Sequence, residues 1–254
     1  ISCNWEASSH LTDLVAKALA PVVPERVTAG HFLSILGTIL GGIDDVTKQP
    51  FVLCEPQAGG WGAGVNKDGE NGLVAIADGE TFMIPIEVAE TKYPILVDQY
   101  TFNLAPGAGK FRGGCGLIRD YRLLNSCAEL TTIVSGHEYP AWGLKGGKNG
   151  SRNEVHILDT TGEKIVGSTF ARYPVYKGDV IRFVSGCGGG YGNPFERDPA
   201  AVLDDVVNEI ITREQARQDY GVVITDQGVV DTVATGQLRA AARREWRGST
   251  DSVD

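Results

Sequence analysis

Glu154-Val155-His156-Ile157-Leu158, then Thr161-Gly162, then the run Ile165–Phe170: this stretch decides the fold class. Val155 and Ile157 flank His156 in the alternation of a half-buried strand. Thr161-Gly162 is a turn dipeptide of the kind a hairpin needs. The same pattern extends over the region from Phe51 to Val184. Phe51–Cys54, Leu73–Ala77, Ile95–Leu104, Gly116–Leu124, Glu129–Val134 and Val180–Phe183 are short runs rich in Val, Ile, Phe, Tyr and Leu. Gly, Asn and Asp separate them, with Asp68-Gly69 and Asp78-Gly79 as further turns. No long helical period interrupts the region. The expected class is α+β, with a β-rich central domain, sandwich or barrel-like, over 51–195.

The flanks read differently. In residues 1–50, a mixed segment, Leu11, Leu14, Val15, Ala18 and Leu19 form the stripe of an amphipathic helix, capped by Ser8 or Ser9 and stopped by Pro21. Gly30 to Gly42 is apolar and reads as strand or irregular backbone. Pro85-Ile86-Glu87-Val88-Ala89-Glu90 reads as extended, which would put Glu87 and Glu90 on opposite sides. Residues 196–254 form a helical tail. Asp198-Pro199 is a cap with a first-turn proline, Thr212 to Gln215 a capping box closed by Gly221, and a basic helix after Asp231 carries Arg239, Arg243, Arg244 and Arg247.

The 254 residues hold 23 Lys+Arg against 32 Asp+Glu, a net charge of −9 that disfavours a nucleic-acid groove or an anionic membrane surface. No apolar stretch is long enough to span a bilayer. Five cysteines, scattered and never in a C-x-x-C pair, fit free thiols in a reducing compartment, so a cytoplasmic location is expected. The chain opens on Ile1 rather than Met, and the expectation is that it is part of a longer polypeptide. Covering the Leu11–Leu19 stripe would then fall to the missing half or to another subunit.

Glycine supplies 33 residues, concentrated in four loops: Gly59–Gly64, Gly107–Gly116, Trp142–Gly150 and Ser185–Gly192. Two readings stand for them. Glycine lets backbone N–H groups approach an anion or a developing oxyanion, and it also permits tight turns and bulges. Under the first reading Gly60, Gly62, Gly109, Lys110, Gly113, Gly114, Gly189 and Gly190 are the substrate- and anion-binding candidates. Phe111 follows Lys110, so the hydroxyl of an ATP-binding phosphate loop is missing. The four histidines lack metal-ligand spacing, and no metal site is expected. Candidate catalytic residues are His137, a proton carrier near neutral pH, Glu87 and Arg112. Cys115 and Cys187 read as small buried fillers.

The ordered string of motifs resembles the hydantoinase B family, which also holds the B-like halves of ATP-dependent 5-oxoprolinases and subunits of acetone and acetophenone carboxylases. The matching pieces include Gly59-Gly60-Trp61-Gly62-Ala63, Pro85-Ile86-Glu87, Gly107-Ala108-Gly109-Lys110-Phe111-Arg112-Gly113-Gly114, and Gly188-Gly189-Gly190-Tyr191-Gly192-Asn193-Pro194. Glu196-Arg197-Asp198-Pro199 and Tyr220-Gly221-Val222 complete the series. Two positions depart from the pattern: Leu104-Ala105-Pro106 replaces a more polar lead, and Cys187 interrupts a glycine run.

The resemblance implies a heteromeric enzyme. A hydantoinase A-like partner subunit would bind ATP and Mg²⁺ and phosphorylate a carbonyl oxygen of a small-molecule substrate, with no cofactor on this chain. The B-type subunit would support attack at the activated carbon, with Arg112 or Lys110 receiving the anion. Carboxylation of an enol phosphate is the leading expectation. Amide hydrolysis of the hydantoinase or oxoprolinase type, or a non-catalytic structural role, are the alternatives. B-type proteins are about twice this length, so the match is to a C-terminal half.

Overall fold

The computed structural model describes residues 5–79 and 81–250, without the side chains of Trp5 and of 242–250. Ile1 and the side chains of Arg243, Arg244 and Arg247, singled out above, lie outside the described residues. Among the described residues, nine strands form two antiparallel sheets. The first contains β1 (Gly37–Ile43), β2 (Pro50–Glu55), β5 (Cys127–Ile133) and β8 (Phe170–Tyr176), in the order β2-β1-β5-β8. The second contains β3 (Ile95–Asn103), β4 (Gly116–Leu123), β6 (Glu154–Leu158), β7 (Lys164–Gly167) and β9 (Val180–Val184), in the order β3-β4-β9-β6-β7.

The sheets share one core. Leu40, Leu53, Leu130 and Val175 of the first meet Tyr121, Leu123, Ile157, Ile181 and Phe183 of the second. Alternation drives this packing: β2 reads exposed, buried, exposed, buried along its length, so one face of each strand enters the core. The domain is thus a sandwich, and its sheets do not close into a barrel. β6 and β7 form the expected hairpin, with Gly162 at a φ of 90° in its turn. Glu55, Arg119 and Tyr121 add a polar cluster inside this core. Arg119 Nη1 lies 3.1 Å from Glu55, and its guanidinium sits 5.0 Å from the ring centres of both Tyr100 and Tyr121.

Four expectations need correction. Ser8 and Ser9 do not cap the opening helix but lie inside it, since it already runs from Trp5. Leu73–Ala77 forms no strand and contributes only the bridge Gly59↔Leu73, because its backbone serves the Trp61 indole, which donates to Val74 O at 2.8 Å. The run Ile165–Phe170 divides: β7 ends at Gly167 and Phe170 opens β8. The segment after Pro85 is a helix, α2 (Ile86–Lys92), so Glu87 and Glu90 stand one turn apart rather than on opposite sides. Glu90 accepts from the Val97 amide at 2.8 Å and ties α2 to β3, whereas Glu87 is exposed.

The opening helix, α1 (Trp5–Leu19), docks by its polar side. Glu6, Ser9, Asp13 and Ala20 are buried, while Leu11, Leu14, Val15 and Leu19 are 63, 59, 60 and 47 % exposed. Glu6 accepts from Ser34 Oγ at 2.7 Å and from the Ile35 and Ser135 amides at 2.9 and 2.8 Å. In the tail, α3 (Pro199–Val207), α4 (Arg213–Tyr220) and α5 (Thr232–Thr250) follow their sequence signals. Asp198 caps α3, the Thr212/Gln215 box caps α4, and Gly221 ends α4 at a φ of 62°. No described helix is long and apolar enough to cross a membrane.

Candidate functional site

The four glycine-rich loops meet one another. Gly60 N–H donates to Gly186 O, Gly114 to Trp61 O, Gly189 to Gly30 O, Gly190 to Lys148 O and Gly113 to Gly107 O, all between 2.8 and 3.0 Å. Gly62 N–H donates to His31 Nδ1 at 3.2 Å, and Lys110 N–H to Gly192 O at 3.2 Å. Segments far apart in sequence are therefore packed backbone against backbone. A Cβ at Gly60 would stand 2.1 Å from Gly114 O, and one at Gly188 would stand 1.9 Å from Trp61 O. Glycine is required here by close approach. Of the proposed anion donors, these N–H groups are already committed internally. The Lys110 side chain is exposed, at the rim of a depression shared with Lys67, Asp68 and Glu196.

Arg112 lies beside this junction in a buried ionic network. Its Nε donates to Asp205 at 2.8 Å, and its Nη1 donates to Gly113 O at 3.0 Å. Arg197 holds Asp68 with two bonds of 2.7 and 2.8 Å, and reaches Asp205 at 2.8 Å. Burial opposes charge on Asp68, yet the Arg197 and Arg112 guanidinium groups keep its carboxyl below the usual range. The network joins the loop around Asp68, the Gly107–Gly116 loop and α3 into one unit. Cys115 and Cys187 are buried and free; burial pushes the Cys115 thiol up to about 12 and raises that of Cys187. Neither presents a thiolate near neutral pH.

His137 lies elsewhere, in an open cleft of about 510 Å³ between α1 and residues 134–142. From α1 come His10, Asp13, Leu14 and Lys17, successive positions of one helical face. His137 Nδ1 is 3.0 Å from Asn153 O. A carbonyl oxygen only accepts, so Nδ1 carries the hydrogen and the neutral ring keeps its lone pair on Nε2. Asn153 is itself fixed: its Nδ2 donates to Ser135 O at 2.7 Å and to Phe32 O, and its Oδ1 accepts from Gly186 N–H. The ring that lines the cleft is thus oriented from behind by a residue tied to the glycine junction. Leu33, also on the cleft wall, holds a φ of 62°, an uncommon conformation for a large side chain.

Asp13 is 5 % exposed and accepts from the Trp142 indole at 2.7 Å, while its other oxygen, Oδ1, lacks a hydrogen-bond partner among the described residues. Burial holds its carboxyl above the ordinary range, against the pull of Trp142, the His31 amide, Lys17 and His10. Lys17 Nζ sits 5.9 Å from the Trp142 ring centre. The cleft therefore offers an imidazole with a fixed lone pair, a cationic side chain and a buried carboxyl: groups able to take a proton and to bind a small polar molecule. Of the three catalytic candidates only His137 lines this cleft; Glu87 is on α2 and Arg112 in the ionic network. Sequence reasoning missed His10, Asp13 and Lys17, although their spacing on the polar side of the first helix was available. Among the described residues no group of three or more His, Cys, Asp or Glu is placed to hold a metal ion.

The caprolactamase subunit beta of Pseudomonas jessenii is 32 % identical over 254 aligned positions, covering 95 % of this chain and 43 % of that relative. The crystal structure of the ATP-dependent caprolactamase from Pseudomonas jessenii superposes on 88 % of the chain and 40 % of its own, with a TM-score of 0.76 and 29 % identity. A nucleotide-free acetone carboxylase structure has the same fold, with a TM-score of 0.74 and 23 % identity, over 93 % of this chain and 36 % of its own. The chain thus spans about two fifths of the length of the relatives it matches. The hydantoinase B/oxoprolinase family profile matches residues 1–194, the sandwich and its glycine junction included, and the chain belongs to that family.

Proposed function

We propose that the chain is the B-type component of an ATP-dependent cyclic-amide hydrolase. It would work with a hydantoinase A-like subunit that binds ATP and Mg²⁺ and with the remaining length of a B-type protein. The observation that carries this reading is His137, fixed by Asn153 with its Nε2 lone pair available in an open cleft. Opening an activated amide forms a C–O bond to water and breaks the C–N bond: Nε2 is the group suited to take the water's proton during attack and to return it to the nitrogen as that leaves. Lys17 and the Trp142 face would hold the polar end of the substrate. Of the candidate glycine donors, Gly60, Gly113, Gly114, Gly189 and Gly190 give their N–H to backbone carbonyls and Gly62 to His31 Nδ1, which supports a nucleotide site on the partner rather than here.

Hydrolysis is preferred over ketone carboxylation because the caprolactamase subunit aligns with 95 % of the chain at 32 % identity. The test is ATP consumption by the reconstituted assembly, offered a lactam or hydantoin in one arm and a ketone with bicarbonate in the other. Turnover with the cyclic amide alone supports hydrolysis. Turnover confined to the ketone arm would replace it with carboxylation, and ATP consumption in neither arm would favour a structural role. The isolated chain is expected to bind no ATP at micromolar concentration in a calorimeter.

A further inference from the structure

α1 carries its two chemistries in reverse of a helix that packs on its own domain. Surface helices normally bury the apolar stripe and solvate the polar one. Here the inward contacts are polar, with Glu6 held by Ser34, Ile35 and Ser135, and Asp13 held by Trp142. The outward face is Leu11, Leu14, Val15 and Leu19, spaced i, i+3, i+4, i+8, and Val22 just beyond is 78 % exposed. That spacing is a ridge of the kind that fills the groove of a second helix. A row of large apolar side chains kept in water is a liability in a free domain and marks a contact surface.

We infer that this stripe is the seat of a helix from the polypeptide that supplies the rest of the B-type protein, and that its docking completes the His137 cleft. The inference rests on the family-based reading above. Two observations select this occupant. The relatives carry well over half of their length beyond what this chain spans, and that material needs an apolar seam on the shared domain. Leu14 belongs both to the stripe and to the cleft wall, so a helix lying on Leu11, Leu14 and Val15 also stands at the cleft's open side. A second copy of this chain would bury the stripe equally well but gives no reason for the continuity with the cleft.

The test uses the assembly of this chain, the remaining B-type polypeptide and the ATP-binding subunit. Hydrogen exchange is followed over residues 5–19 in the chain alone and in the assembly. In parallel, L11E/V15E/L19E is compared with wild type for binding of the remaining B-type polypeptide, with V207E as a control, since Val207 is 70 % exposed on α3. The expected result is slowed exchange along α1 only in the assembly, and at least 100-fold weaker binding for the triple variant alone. The triple substitution leaves Glu6 and Asp13 in place, and far-UV circular dichroism checks that α1 persists; if it does not, exchange in the wild-type protein decides. Unchanged exchange of α1 on assembly, or unchanged affinity of a folded triple variant, would overturn the inference. Self-association of the chain abolished by the same substitutions would also overturn it, in favour of a second copy. These readouts are binding and exchange, so they stand or fall independently of which reaction the assembly catalyses.

Discussion

Gly188→Ala would force a methyl group to within 1.9 Å of the Trp61 carbonyl oxygen, in a junction where the neighbouring atoms are backbone and have nowhere to move. The substitution is expected to cost more than about 3 kcal/mol and to lower the folded yield, as read by thermal melting. Gly79→Ala is the matched control, because a Cβ there meets nothing within 4 Å; it should stay within about 0.5 kcal/mol of wild type. His31 makes a second prediction. Burial lowers its pKa from 6.5 to about 4, and its Nδ1 accepts from the Gly62 amide. As pH falls below 6.5 the unfolded chain takes up a proton that the folded chain refuses until about pH 4. Stability is therefore lost across that window, by up to about 3 kcal/mol, and is flat in this contribution above it. His31→Gln should remove that part of the slope in denaturant titrations at pH 7, 6, 5 and 4. An identical slope in the variant would show that the ring is not the group responsible.

At the scale of elements, the ionic network is expected to fasten the helical tail to the glycine junction. Arg197→Met strips half-buried Asp68 of its two guanidinium bonds and leaves the buried Asp205 with Arg112 alone, which should cost about 3 kcal/mol. Limited proteolysis should then cut first near α3. Removing Arg112 as well should be far from additive, because both arginines share Asp205. Much of this level was legible in the sequence. β6, β9 and the caps of α3 and α4 have local signals that agree with their surroundings: alternation, a proline in the first turn, a reciprocal Thr212/Gln215 box. β8 was missed because Pro174 argues against a strand, yet β8 is the edge of its sheet, where a missing N–H costs nothing. α2 was missed because its seven residues are too few to show a period, and its stability comes from contacts such as Glu90 to Val97 N–H. The candidate site was half legible. His137 stood out as a chemical type, but its partner Asn153 is 16 positions away, and only the fold brings them together.

For the whole molecule, an acidic sandwich carries one helix whose apolar stripe faces outward. The sequence of the Gly107–Gly116 loop already lacks the hydroxyl of a phosphate loop, and the structure adds that the Gly107, Lys110, Phe111 and Gly114 amides donate to carbonyls of the other loops. The outer face of the first sheet, a groove of about 770 Å³ around Ile43, Val52 and Tyr176, is also left uncovered. What distinguishes a catalytic component from a scaffold is the cleft, and His137→Asn separates the two. The asparagine amide can still donate to Asn153 O, as Nδ1 does, but it offers no base in place of Nε2. Steady-state turnover of the full ATP-consuming assembly is the decisive measurement, with its integrity checked by sedimentation. With His137→Asn, kcat should fall about 100-fold or more while KM stays within about twofold and the subunits remain associated. A kcat unchanged in an intact assembly would contradict the account and leave this chain as scaffold.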